Sequence, residues 1–562
     1  MATPPLLPFL DTETLLTRGF FHDRLIPPFS STTLAGAMPA LQQHIATTLQ
    51  AATTQPKFAL NIPRSRPVEH SVPKRKHLRR MLAIPHPRAY AIMCDQVALN
   101  WAELHALCTA SPLSMSTPST SQHRAVQASH GQSSVANERA QRSVGQRFLL
   151  KTDLVRFYPS IYTHSIPWAI HGKEAARADT INQLWGNRLD VCLQALQDKQ
   201  TGGIPIGPDT SYIIAEMLSS RIDQMLQDRL APLLLKGTRF IDDYHLYFRT
   251  RADAEKAIAA LHGVARYFDL EINDAKTEIV ELPEAIDPSW KTILRTHVVI
   301  PDDYGISCKS LFDRAAELAK QYPNDSVYTY VAKKLLHTAL SQNIWIICEP
   351  LLYRAALAEP SMLPVLLQIV ELNGLQNQAG LTETIESLCN YHAPLQHGFE
   401  VAWSLWLACH FGIALQPSTV AIIAKMDDDI VALACLDLRS RQLAPGLNPI
   451  LWASRMNAAN LYSDHWLLAY EAQRKGWLQH VNGTNYVVND PFFSLLAAAG
   501  VSFYDENTLD VGEDPQYADD DFAEDEEESE NDEEDVNGEQ QPETLEDLVT
   551  QPDAAILPLI EP

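Results

Sequence analysis

The stretch Arg239–Phe248, RFIDDYHLYF, sets two adjacent acids between apolar residues on both sides. The flanks read as two short strands, with Asp242 and Asp243 at the turn between them. Like charges at the tip of a buried hairpin are costly unless a cation neutralises them. Upstream, Phe148–Asp153 (FLLKTD) reads as a strand that ends on a third acid. If these strands lie side by side, Asp153, Asp242 and Asp243 converge at one sheet end. That arrangement suits two divalent ions about 3.5–4 Å apart, which activate an attacking hydroxyl and stabilise a leaving oxygen. Oxygen donors without His or Cys select Mg2+, or Mn2+ in its place, over zinc. Alone, an Asp-Asp pair is most often a polar turn, so the neighbouring blocks decide.

Those blocks change period in a fixed order. Thr210–Leu230 has apolar residues at helical spacing, Ala252–Phe268 reads as an amphipathic helix, and Leu270–Leu282 is strand-like. Strand, helix, hairpin, helix, strand predicts an antiparallel sheet with helices on one face, an α+β layer. Before it, Thr32–Thr53 reads as helical. Thr109–Ser134, rich in Ser, Thr and Gly, reads as a long loop, mobile unless something binds it. Beyond about residue 305 the chain reads as helices of roughly 10–18 residues, broken at Pro323, Pro350, Pro360 and Pro394, which suggests an array of helical hairpins.

At 562 residues and 46% apolar content, the chain is too long for one compact domain and has ample material for buried cores. Its net charge of −25 is a local property. Of 69 acids, 24 lie from Asp505 onward with no Lys or Arg among them, leaving 45 acids against 44 bases in residues 1–504. The end reads as a disordered, self-repelling acidic tail. Conversely, Lys57–Arg88 holds nine Lys and Arg against one acid, Glu69, and makes a basic patch. The eight cysteines include no C-x-x-C pair, which predicts buried, reduced thiols and no zinc ribbon. His70, His77 and His86 have no matched ligand spacing. No signal peptide and no apolar run of about 20 residues is read, so the expectation is a cytoplasmic chain that does not enter a membrane.

KTDLVRFYPSIYTH (151–164), GGIPIGPDTSYIIAE (202–216), RFIDDYHLYF and LEINDAKTEIV (270–280) resemble, in order and within about 130 residues, motifs A to D of a reverse transcriptase palm. The resemblance implies that Asp153, Asp242 and Asp243 are the metal ligands. It also implies that Tyr158 stacks under the incoming sugar and excludes a 2′-hydroxyl. Lys276 would lie near the triphosphate as a proton donor to pyrophosphate, and Gly207 would admit the nascent base pair. Lys74, Arg75, Arg79 and Arg80, upstream where fingers would lie, are candidates for holding the triphosphate or a strand backbone.

Two departures matter. Ile206 stands where retroviral, retron and group II intron enzymes usually have Gln, and motif C has Phe-Ile before the acids instead of Tyr-Ala. The Ile-Gly-Pro form resembles abortive-infection and defence-associated bacterial reverse transcriptases. So do GFFHDRLIPPFSS (19–31), GFEVAWSLWLA (398–408) and SDHWLLAYEA (463–472). The implied architecture is fingers and palm in 1–300 (palm about 148–285), a helical domain in 301–504, and the tail in 505–562. The implied function is RNA-directed DNA synthesis from dNTPs in antiviral defence, on an RNA or DNA strand. An accessory non-coding RNA and a homo-oligomer are left open. Members of this group are associated with untemplated or protein-primed synthesis, so a template-independent polymerase stays a rival. Tyr462, Tyr470 and Tyr504 are priming candidates by residue type alone. A non-catalytic nucleic-acid scaffold is the rival of another class.

Overall fold

The computed structural model describes residues 9–74, 78–300, 304–480 and 482–508. Arg75 and most of the acidic tail lie outside the described residues. Strands β1 (Val68–Pro73) and β2 (Arg79–Ile84) pair as an antiparallel hairpin, and β3 (Pro118–Thr120) and β4 (Val126–Ala128) as a shorter one. Helix α1 (Gln132–Arg142) leads into β5 (Phe148–Thr152). Helix α2 (Asp209–Leu230), β6 (Lys236–Phe240), β7 (Asp243–Phe248), α3 (Arg251–Tyr267) and β8 (Glu278–Glu281) follow. The sheet has the order β6-β7-β5-β8, every pair antiparallel.

The sequence explains this layer locally. Thr250 caps α3 by accepting from the Asp253 N–H. Ala254, Ala257, Leu261, Val264 and Ala265 then recur on one face and are buried, so α3 lies on β5 and β7 with α2 packed beside it. Gly237 permits the close approach of β6 to β7: a Cβ there would stand 2.2 Å from the His245 carbonyl oxygen.

Four expectations need correction. The turn is Ile241-Asp242, one residue earlier than expected, with Ile241 in the left-handed region at φ 51°, and Asp243 already opens β7. Thr109–Ser134 is not a bare loop: Leu113, Met115, Ala125 and Val126 are buried, and the segment holds β3 and β4. Its serines bond acids of α2, which composition cannot reveal. Pro350 lies inside a helix, Gln342–Ala358, instead of ending one. The bond it deletes would reach the Ile346 carbonyl, on the exposed face where water can serve. Finally, Cys308 and Cys348 form a disulfide across 40 residues, because the helices that carry them pack together; the other six cysteines are free and buried.

The second half stacks helices in two rows. One contains α4 (Ile306–Gln321), α5 (Gln342–Ala358) and α6 (Gln378–His392). The other includes α7 (Gly398–His410), α8 (Asp429–Ser440) and α9 (Trp466–Arg474). This second row folds back on the first hairpin. Arg79 pairs with Glu400, His70 with Asp428 at 2.9 Å, and Trp466 donates to the Ile84 carbonyl. Asp505–Thr508, assigned to the tail by charge, are still engaged: Asp505 N–H donates to Pro28 O, and Lys475 pairs with Glu506. Among the described residues no helix is long and apolar enough to cross a membrane.

Candidate active site

Register places the acids. Thr152 of β5 faces Tyr244 of β7, so Asp153, one residue further out, falls beside Asp243. A bond from Asn273 N–H to the Asp153 carbonyl holds the strand end. Asp153, Asp242 and Asp243 line one cavity of about 410 Å³, together with Tyr158, Ile206, Gly207, Lys74, Arg79 and Arg80. Cations already face two of the acids. Lys276 donates from Nζ to Asp153 Oδ2 at 3.1 Å, while Arg139 Nη2 and His245 Nε2 each stand 3.3 Å from Asp243 Oδ2. Burial, reinforced by Arg139, pushes the His245 imidazole below its ordinary range, so it supplies no full charge. An all-oxygen set of clustered acids that draws in cations fits Mg2+ or Mn2+.

Long-range contacts hold the rest of the cavity lining together. Tyr158 sits on a short helix, Phe157–Ser160, and its carbonyl accepts from Ile204 N–H. This ties the segment after Asp153 to the loop carrying Ile206 and Gly207. The Ile206 carbonyl accepts from Ala83 N–H of β2 at 2.8 Å, linking that loop to the first hairpin. Gly207 has φ 129°, where a side chain is strained, although a Cβ would meet nothing closer than His22 Cβ at 3.6 Å. Backbone conformation, more than space, calls for glycine here. The block 19–31 packs on the same loop, with Asp209 N–H donating to Gly19 O.

Arg124 is a residue the sequence reading missed. It lines the cavity, pairs with Asp209 and Asp23, and donates to the Gly207 carbonyl at 3.3 Å. Arg79 departs from expectation in the other direction. Its guanidinium is held by both oxygens of Glu400 and by Ser71, so it braces the hairpin against α7 and is not available to a triphosphate. Lys74 and Arg80 remain on the cavity wall. Tyr470 and Tyr504 are buried, with hydroxyls donating to Val501 O and Asp437, and the Tyr462 hydroxyl donates to Asp490. None of the three presents a free priming hydroxyl.

Residues 72–304 match the reverse transcriptase (RNA-dependent DNA polymerase) family. The match spans β2, the second hairpin, the four-stranded sheet and most of the cavity lining. It carries the enzyme class, an RNA-directed DNA polymerase and hence a nucleotidyltransferase. Telomerase from Candida albicans, solved with a TWJ fragment of telomeric RNA, aligns at 12% identity and TM-score 0.29 over 72% of this chain and 66% of its own. Apo telomerase from Candida tropicalis aligns at 10% identity and TM-score 0.31 over 72% and 70%. Likeness at this level carries nothing further over to this chain. No curated protein matches it.

Proposed function

We propose that this reverse transcriptase cavity performs metal-assisted nucleotidyl transfer from dNTPs, with Asp153, Asp242 and Asp243 as the ligands of Mg2+ or Mn2+. The observation that supports the reading is that all three acids line one cavity together with Tyr158 and Gly207. The ions, when bound, lower the barrier by polarising the α-phosphate and stabilising the leaving oxygen. The chain's own residues do the rest. Tyr158 lies under the sugar and excludes a 2′-hydroxyl, Gly207 leaves room for the forming pair, and Lys74 and Arg80 screen the triphosphate. Lys276 protonates the departing pyrophosphate. The helical half, bonded to the first hairpin, serves as scaffold for the cavity.

The Ile206-Gly207-Pro208 form supports a defence-type enzyme acting against invading genomes. Ile206 also favours a second reading, template-independent addition, since an apolar side chain cannot hydrogen-bond a template nucleotide as Gln does.

Asp242→Ala and Asp243→Ala should each abolish dNTP incorporation while the chain stays folded. A variant that polymerises normally overturns the assignment. Single labelled dNTPs, supplied with and without RNA or DNA template, separate copying from untemplated addition. Label retained on the denatured chain would reveal protein priming.

A further inference from the structure

The turn that presents Asp242 is conformationally expensive. Ile241 is β-branched and sits at φ 51°, a region such residues avoid. Both of its backbone groups are clamped from inside. Its N–H donates to Ser116 Oγ at 2.8 Å, and its carbonyl accepts from Arg239 Nη1 at 2.8 Å. Arg239 is fully buried. Its guanidinium forms a two-pronged pair with Glu216, at 2.7 and 2.9 Å, and a third bond from Nε to Asp223 at 2.8 Å. Ser114 and Ser116 each donate to Glu216, and Ser111 donates to Asp223. The backbone of Arg239 is fixed as well: its N–H donates to Leu113 O and its carbonyl accepts from Met115 N–H.

We infer that Arg239 and Ser116 are positioning residues that set the Ile241-Asp242 turn through the buried Glu216 and Asp223 carboxylates. A buried ionic group of this kind contributes little net stability over apolar packing, because desolvation offsets most of its attraction. What it supplies is geometry. All three guanidinium nitrogens of Arg239 are bonded, and the two bonds that leave the network for the sheet tip end on the residue before Asp242. Helix α2, which also begins at the Gly207 loop, thereby links that loop to the turn. The role rests on the proposal that Asp242 is a metal ligand.

Ser116→Ala deletes one oxygen from a packed site, and Arg239→Lys keeps a positive charge while losing the fork. Ser116→Ala, the milder change, should stay folded under assay conditions, Arg239→Lys should lower Tm more, and the folded fraction of each should keep the KM for dNTP. Each should lose kcat on the order of 10- to 100-fold, the scale of an ångström-level misplacement. Hydrogen exchange in a peptide covering 239–246 should accelerate, with the rest of the chain unchanged. Unchanged kcat in the folded variants, or a kcat loss that merely tracks loss of folded protein, overturns the inference. Asp242→Ala in the same assay keeps the two ideas apart. If that variant is active, the site assignment itself falls. If it is inactive while Ser116→Ala is fully active, only the positioning role falls.

Discussion

Lys276 donates from its ammonium to Oδ2 of Asp153 across 3.1 Å, with both side chains about nine-tenths buried. The proposed proton donor would therefore compete with a metal ion for the Asp153 carboxylate. With Asp153 holding a divalent ion, the Lys276 ammonium would be released from the carboxylate and would face the leaving group.

Lys276→Met should separate these two effects. Binding of Mn2+ to the chain, read by calorimetry without nucleotide, should tighten because the competing cation is gone. The kcat for incorporation should fall on the order of 10²-fold, the usual contribution of a positioned general acid. Weaker Mn2+ binding would show that the lysine helps to shape the site and does not compete in it.

Arg79 and Glu400 join the first hairpin to α7, and Glu400 is almost fully buried. Removing the arginine strands a carboxylate in a dry contact. In the parent the neighbouring His392 brings no charge to Glu400, since burial, helped by His397 and Arg79, holds its pKa down at about 4. Arg79→Ala should therefore destabilise the chain by about 3–5 kcal/mol in urea unfolding. Arg79→Ala combined with Glu400→Gln should recover a large part of that loss, because no charge is left behind. The KM for dNTP should be unchanged in the folded fraction. A raised KM with normal stability would return Arg79 to the triphosphate.

These contacts also mark where the sequence stopped being informative. Asp153 was legible because a strand ends on it, and Asp242 and Asp243 because acids between apolar runs break a simple pattern. The antiparallel layer backed by helices followed from elements whose periods are local, whereas the strand order did not. What was hidden acts across the chain. Ser114 and Ser116 reach Glu216 across about 100 residues, and in composition they look like any serine-rich loop. Ile241 contradicts its own propensity, and only the Ser116 and Arg239 bonds explain how it is held. Arg124 had no motif around it, while Arg79, inside a basic run, looked like a phosphate ligand until its partner 321 residues away was visible.

Glu471 gives a pH-dependent test of how the described C-terminal end is held. It is fully buried, accepts from Phe503 N–H and Ser502 Oγ, and burial raises its pKa from 4.5 to about 7. Below pH 4.5 the group is protonated whether the chain is folded or not, and its favourable contribution is fully present. Between there and about pH 7 the folded chain keeps a proton that the unfolded chain has released, so stability falls as pH rises. The total effect is on the order of 3 kcal/mol. Glu471→Gln cannot ionise, and its amide oxygen can still accept from Phe503. It should match the parent near pH 4.5 and exceed it in urea resistance at pH 8, with the slope between largely gone. Phe503 packs against Phe20 and Trp466, so hydrogen exchange around residues 502–504 should slow in the variant at pH 8. An unaltered slope in Glu471→Gln would assign the titration to another buried group.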